Sequence, residues 1–229
     1  MAQRNRGESG GSLSRATAAR LSQYLRCLAV WEWGLPVSSR ELAVFVGVSD
    51  AQVRRDLASL GHLGQRGVGY EAEALTAAIR GVLGIDRVWR AVLVGAGNLG
   101  RALLRYRGFR EQGFTIVGLF DSDPRKVGEV AEGLRVEANP ILPARVRELG
   151  AELGVLAVPS DAAQEVADAL IAAGIRGLLN FAPMRLRTPP TVRVVSVDLA
   201  IQFEQLAFLV HGSGIGEVSR DGLESAGES

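Results

Sequence analysis

Histidine, cysteine and lysine are nearly missing from this chain of 229 residues: it has two histidines, one cysteine and one lysine. A single cysteine, Cys27, excludes a disulfide framework and any cysteine-based zinc site within one chain. Its apolar helical setting makes it a buried structural thiol. His62 and His211 leave little for metal or triad chemistry, so no metal is expected. No apolar run approaches the ~18–20 residues of a membrane span. The opening MAQRNRGESGGS is polar and unlike a secretion signal. The expectation is a cytoplasmic protein. Net charge is only +1, which excludes a bulk polycation, yet it is unevenly spread. Residues 1–90 carry 12 arginines against 8 acids, and residues 91–229 carry 14 basic against 17 acidic side chains. Lys126 is the sole lysine. Such near-exclusive use of arginine reads as coding bias and by itself says little about nucleic acid.

What is present is apolar and patterned: 47% hydrophobic and 22% charged residues, enough for a sizeable core. At ~150 residues per domain the length suits one large domain or two small ones. Residues 1–14 and 212–229 lack apolar content and period and are expected not to pack. Between them, Leu21, Tyr24, Leu25 and Leu28 fall at i, i+3, i+4, i+7, one helix face. Ser38 and Glu41 form a capping box that opens a second helix, with Leu42, Phe45 and Val46 buried and Gly47 ending it. Ser49 to Gln52 repeats the box and opens a third helix, with Val53, Leu57 and Leu60 inward. GHLGQRGVGY (residues 61–70) then reads as a tight hairpin. Helix, helix, turn, helix, hairpin is the order of a winged helix-turn-helix.

The next block opens on RAVLVGAGNLGRALL. A short apolar strand at residues 91–94 is followed by Gly95-Ala96-Gly97-Asn98-Leu99-Gly100 and a helix. A second strand, FTIVGLFDSD, ends in acids, with Pro124 at the first position of another helix. Strands at residues 154–158, 177–181 and 192–197 continue the alternation, and Ser160 caps the helix over 161–173. This is an α/β pattern, a Rossmann-type doubly wound parallel sheet. The glycines have the context they require: Gly95 for the tight turn, Gly97 for close backbone approach to a pyrophosphate, Gly100 for helix packing. Asp121, 21 residues past Gly100, is placed to accept from an adenosine ribose and to repel a 2′-phosphate, which favours NAD(H) over NADP(H). With Asp121 at the ribose, Arg125 and Lys126 read as a solvated helix face. Pro159 and Asn180 lie at carboxyl ends of strands, where ligands bind; Asn180 is a nicotinamide contact or a structural residue, and Pro159 a ligand contact or a strand stop. Residues 198–210, DLAIQFEQLAFLV, are apolar around the whole helical wheel, which calls for burial against a second chain.

On the third helix, Gln52, Arg55 and, at the edge, Arg54 project outward where base edges are read. Arginine suits guanine O6/N7 and glutamine suits adenine. Ser38 and Ser39 suit phosphate oxygens. Arg66, beside Gly67 at the hairpin tip, suits a narrow minor groove. Each arginine alone also reads as a surface charge, and winged helices also dock proteins. The nucleotide domain carries no catalytic equipment: Tyr106 has Arg110 rather than lysine four residues on, and neither histidine falls near the crevice. Two other classes stay open at this level, a small NAD-dependent oxidoreductase and a nucleotide-gated protein–protein adaptor.

Taken in order, ATAARLSQYLRCL, VSSRELA, AQVRRDL, RGVGY, VGAGNLGRALL, FDSDPRKVG, AVPSDAAQ, GIRGLLNFAP and VDLA resemble the Rex redox-sensing repressors of bacteria, over essentially residues 16–210. The resemblance implies a homodimer on a palindromic double-stranded operator, released when NADH binds in preference to NAD+, with the nucleotide a regulatory ligand that is not consumed. It implies a winged-helix domain at residues 15–80, a Rossmann NAD(H) domain at 81–197, and a C-terminal helix at 198–211 exchanged between subunits. It also implies that Arg26, Tyr106 and Asp198 link the three blocks, with Tyr106 and Asp198 near the nucleotide. Leu199 follows that aspartate where related proteins approach the nicotinamide, and Phe203 lies in the dimer helix. These assignments separate the two roles. Asp121→Ala is expected to weaken NADH binding, measured by fluorescence titration, while operator binding without NADH is unchanged; equal loss of both contradicts the separation.

Overall fold

Helix caps and apolar spacing set the first half of the molecule. The computed structural model describes residues 13–215 apart from 33, 62 and 66. Its contacts divide the chain into two units, residues 1–88 and 89–229. In the first, α1 (Arg15–Ala29), α2 (Ser39–Val46) and α3 (Asp50–Ala58) precede β1 (Gly64–Gln65), β2 (Gly69–Tyr70) and α4 (Ala72–Leu83). Ser14 caps α1, so the expected loose start reaches the described residues only at its end; residues 1–12 lie outside them. The Ser38–Glu41 capping box forms in full. The second box forms by half. Ser49 accepts from the Gln52 N–H, but the Gln52 side chain turns to Asp56 instead of back to the cap. Phe45 is half exposed rather than buried, and Ala43 takes the inward place beside Leu42.

The core of this unit joins Leu21, Tyr24 and Leu28 of α1 to Leu42, Val53 and Leu57, and to Leu75 and Ile79 of α4. The expected domain boundary at residue 80 would cut α4. The helix stays whole because Ala72, Leu75 and Ile79, at i, i+3, i+7, are buried in that core. The hairpin is hooked to the entry of α2: Val37 and Tyr70 exchange both backbone hydrogen bonds at 2.8 Å. Gly69 (φ +108°) permits this, since a Cβ there would lie 2.6 Å from the Val37 carbonyl oxygen.

The second unit runs β3 (Trp89–Val94), α5 (Asn98–Arg105), α6 (Gly108–Glu111), β4 (Phe114–Asp121), β5 (Val130–Ala131), β6 (Leu134–Ala138), α7 (Leu142–Glu148), β7 (Leu153–Leu156), α8 (Ser160–Ala172), β8 (Gly177–Asn180), β9 (Arg193–Ser196) and α9 (Leu199–Ile215). The sheet order is β5-β6-β4-β3-β7-β8-β9. Every neighbouring pair is parallel except β5–β6. Alternation divides the faces: Val92 and Val94 pack with Leu142, Val146, Val166 and Leu170, whereas Leu93 packs with Leu103 and Leu104 of α5. Strand order reverses about β3 and β7, which places the ligand crevice at their carboxyl ends.

Three local expectations are corrected. Pro124 opens no helix; the N–H groups of Lys126 and Val127 return to the Asp123 carbonyl at 3.0 and 3.2 Å, and the chain turns into the β5–β6 hairpin. That hairpin closes through Glu132 and Gly133, both at positive φ. Ser160 is the first residue of α8 and Pro159 holds the cap position, without a side-chain cap bond. The final helix continues to Ile215, beyond the expected end at residue 211; residues 216–229 lie outside the described set. Along α9, Leu199, Ile201, Phe203, Leu206, Phe208, Leu209 and Val210 are all exposed in the single chain.

A buried acid ties α3 to α1. Asp56, 3% exposed, receives Arg20 Nε and Nη2 at 2.6 and 2.7 Å and the Tyr24 hydroxyl at 2.9 Å. Burial alone pushes the Asp56 carboxyl up, but the donors from Arg20, Gln52 and Tyr24 outweigh it and hold it below the usual range. Its contribution to stability is therefore present above the ordinary carboxylate pKa of ~3.9 and is lost as pH falls through the lower folded value. Arg20→Ala, which leaves the buried carboxylate without its cation, is expected to destabilise the fold by about 3 kcal/mol near pH 7. Denaturant titration at pH 7 and again below pH 3 checks this; an undiminished difference at low pH contradicts it.

Candidate functional site

The crevice is built where β3 hands over to α5. Gly95 (φ +104°) turns the chain, its N–H held by the Phe120 carbonyl at 2.8 Å. A Cβ on Gly95 would collide with the Ala157 carbonyl, and one on Gly100 with the Gly95 carbonyl. These two glycines close the turn; Gly100 works against the loop itself more than against the strand. Gly97 differs. A Cβ there meets nothing within 4 Å, so packing within the chain does not require its small size. Gly97 is the N-cap of α5 without a side-chain cap, leaving the first-turn N–H groups, from Asn98 and Leu99 onward, for an anion.

Asp121 stands beside this loop and is joined to it. Its Oδ2 accepts from the Ala96 N–H at 2.7 Å and from Lys126 Nζ at 3.0 Å, and its Oδ1 accepts from the Asp123 N–H at 2.8 Å. Burial pushes this carboxyl up, and the Asp123 N–H, Lys126 and Ala96 N–H together bring it below the usual range, so it stays ionised. The expected solvated face for Lys126 is corrected: the ammonium turns back onto Asp121, because a carboxylate on a side chain only 8% exposed attracts the nearest cation. Arg125 is solvated and pairs with Asp123 at 2.9 Å.

A concavity of about 560 Å³ adjoins Asp121, lined by Ala138, Asn139, Pro140, Ala162, Glu165 and Val166 among others. Its volume lies within the usual range for ligand sites. Asn139 Oδ1 is buried there without a hydrogen-bond partner, an acceptor lacking its donor. A dinucleotide fits this set: uncapped N–H groups for the pyrophosphate, Asp121 for a ribose diol, and a cleft of mixed apolar and polar lining with the buried Asn139 acceptor for the base. Asn139 and Lys126 escaped sequence reasoning. Neither belongs to a spacing rule; an asparagine after a buried strand end was the only signal.

The remaining expectations for the crevice divide. Pro159 lies exposed at the carboxyl end of β7, at the start of α8. Asn180 is fully buried, its amide donating to the Ala182 and Met184 carbonyls at 3.1 and 2.9 Å and accepting from the Ala182 N–H at 3.0 Å. Its expected nicotinamide contact is corrected to support of the 181–184 loop, since those bonds occupy both ends of the amide. Tyr106 ends α5 and lies near Phe114–Ile116, at the start of β4. Asp121 is at the other end of that eight-residue strand, roughly 23 Å away at ~3.3 Å per residue. Within one chain Tyr106 is thus removed from the Asp121 site; it stacks edge-on against Phe109 and is 57% exposed. Asp198 caps α9, accepting from the Ala200 N–H at 2.9 Å. Leu199 and Phe203 stand exposed on that helix, and Arg26 is exposed in the last turn of α1.

In the first unit, Ser38, Ser39, Arg54, Gly67 and the hairpin backbone share one concavity of about 420 Å³. Arg66 lies outside the described residues. The Ser38 hydroxyl, expected to contact phosphate, is engaged with Glu41 at 2.7 Å. Ser39 accepts from Arg54 at 3.3 Å, and Arg54 pairs with Asp50 at 2.9 Å. Arg55 projects from α3, exposed, with one hydrogen bond to Gln52. Among the described residues no cluster of three or more potential metal ligands occurs, and no helix is long and apolar enough to cross a membrane.

The glycine contrast gives a direct test. Gly97→Ala is expected to change Tm by less than about 4 °C yet to reduce dinucleotide affinity more than tenfold by calorimetry. Gly100→Ala is expected to lower Tm as well. Equal effects on Tm contradict the assignment of Gly97 to the ligand.

Comparison with known proteins accords with this geometry. The family model for a CoA binding domain matches residues 86–184, and that for a putative DNA-binding protein N-terminus matches residues 12–58. The redox-sensing transcriptional repressor Rex of Rhodopirellula baltica is 45% identical over 208 residues, which cover 89% of this chain and 87% of that protein. A solved structure of RSP in complex with β-NAD+ and operator DNA aligns with TM-score 0.83 at 32% identity, covering 91% of this chain and all of the other. RSP in complex with β-NADH aligns at 0.80 and 30% identity, over 90% and 98% of the two chains. With 45% identity to a Rex repressor over 89% of its length and both units matched by family models and solved structures, the chain belongs to the Rex family of redox-sensing transcriptional repressors.

Proposed function

We propose that this protein is a DNA-binding repressor that senses the NADH/NAD+ ratio, acting in the cytoplasm as a homodimer on a palindromic operator. The observation that carries the reading is the hydrogen bond from the Ala96 N–H to Asp121, which unites the phosphate loop and the ribose acceptor in one crevice. An acidic ribose acceptor suits a free diol and opposes a phosphorylated ribose, so the ligand is NAD(H) rather than NADP(H) or coenzyme A. Gly95 to Gly100 hold the pyrophosphate, and Asn139 offers an acceptor to the adenine amine. Ser39, Arg54, Arg55 and Gly67 face DNA; Arg66, outside the described residues, keeps its expected role as a groove contact. The nucleotide is a ligand and not a substrate.

Support for the dimer comes from α9. Seven large apolar side chains exposed along one helix are what an unpartnered interface presents. In the assembly, α9 crosses to the partner subunit, and Arg26, Tyr106, Asp198, Leu199 and Phe203 join the blocks. The oxidised ring is a cation and the reduced ring is neutral, so a pocket that admits one penalises the other. A ligand moves a two-state dimer only by its difference in affinity for the two states; a complete swing from 1:99 to 99:1 takes about 10,000-fold.

Gel-shift against a palindromic duplex tests the reading. Retention is expected without nucleotide and with NAD+, and release with NADH. Indifference to NADH, or steady NADH consumption with a small carbonyl compound, contradicts it.

A further inference from the structure

From the buried to the exposed side of α3 runs a relay that a pairing of residue types with bases does not anticipate. Gln52, Arg55 and Asp56 are neighbours at i, i+3 and i+4. Gln52 Nε2 donates to Asp56 Oδ1 at 2.9 Å, and Gln52 Oε1 accepts from Arg55 Nη2 at 2.6 Å. The amide orientation is fixed by chemistry. An ionised carboxylate only accepts and a guanidinium only donates, so a flipped amide would set like against like at both ends. Asp56 is a fixed post. Its Oδ1 takes Arg20 Nη2 and Gln52, and its Oδ2 takes Arg20 Nε and the Tyr24 hydroxyl. That fills the four acceptor sites of a carboxylate, in a residue 3% exposed.

We infer that Gln52 is a positioning residue for Arg55 and does not read a base. To read adenine with both ends of its amide, Gln52 would have to turn from Asp56 and Arg55, leaving a buried carboxylate short of a donor. Arg55, by contrast, uses one of its five N–H donors on Gln52 and keeps the rest for solvent or ligand. The relay from α1 through Asp56 and Gln52 limits the swing of a long side chain before DNA arrives, which lowers the entropy lost on binding. Its target is the guanine edge, O6 and N7, that a guanidinium fork fits. Arg54 has no share in it, being held by Asp50 and Ser39.

The inference rests on the DNA-binding reading, and a double-mutant cycle separates the two. Operator and scrambled duplex affinities are measured at one salt concentration for the wild type, Gln52→Met, Arg55→Ala and the double variant. Gln52→Met keeps the length of the stem and removes both hydrogen bonds. Arg55→Ala is expected to lose about 10- to 100-fold on operator. Gln52→Met should lose roughly 5-fold in the wild-type background and nothing further once Arg55 is gone, and should itself leave scrambled-duplex affinity unchanged because it alters no charge. Additive losses overturn the inference alone, because a direct reader acts whether or not Arg55 is present. A wild-type chain that holds operator no better than scrambled duplex overturns the DNA reading and this inference with it. An independent measurement needs no variant of α3: in the wild type, 7-deazaguanine in each half-site should reproduce the Arg55 loss at one position. Full affinity at every such position also overturns the inference.

Discussion

Asp121 sits with its carboxylate against the backbone N–H of Ala96, and the crevice depends on that contact. A buried acid at the end of one strand needs donors, and a glycine turn at the end of the next strand has spare N–H groups. Each supplies what the other lacks. The bond fixes the spacing between phosphate loop and ribose acceptor before any ligand is present, and Lys126, donating to the same carboxylate oxygen, helps to keep the acid ionised. Replacing Asp121 would leave the Ala96 N–H and the Lys126 ammonium without this acceptor.

The DNA-reading unit is organised around a second buried carboxylate in the same manner. Asp56 collects Arg20, Tyr24 and Gln52, so the recognition helix is pinned to α1 by polar bonds as well as by Val53 and Leu57. Each unit thus has a buried carboxylate that ties its elements together. In the proposed account, signalling between the units falls to the dimer, with the exposed apolar length of α9 as its interface. A switch of this kind needs stiff parts and one adjustable joint, because small shifts at a ligand are carried only through elements that do not deform.

Much of this was legible in the residues. The capping box at Ser38–Glu41, the α1 face, the three fingerprint glycines and Asp121 each follow a short-range rule, a spacing or a φ requirement that local chemistry enforces. What escaped was decided by longer-range competition. Pro124 suits the first turn of a helix and equally a reverse turn; Asp123 captured the following N–H groups and the turn prevailed. The β5–β6 hairpin is too short to show a period. Asn180 looks like a ligand contact until its loop folds back onto it. Gln52 fits an adenine by type, but a buried aspartate four residues away claims its amide.

The central claim is that reduced nicotinamide and operator DNA compete through the conformation of one dimer. Linkage makes that claim measurable: each ligand must weaken the other by the same factor. NADH affinity determined by calorimetry with and without saturating operator is predicted to differ by the factor by which NADH lowers operator affinity. An NADH affinity that ignores the operator would contradict the account.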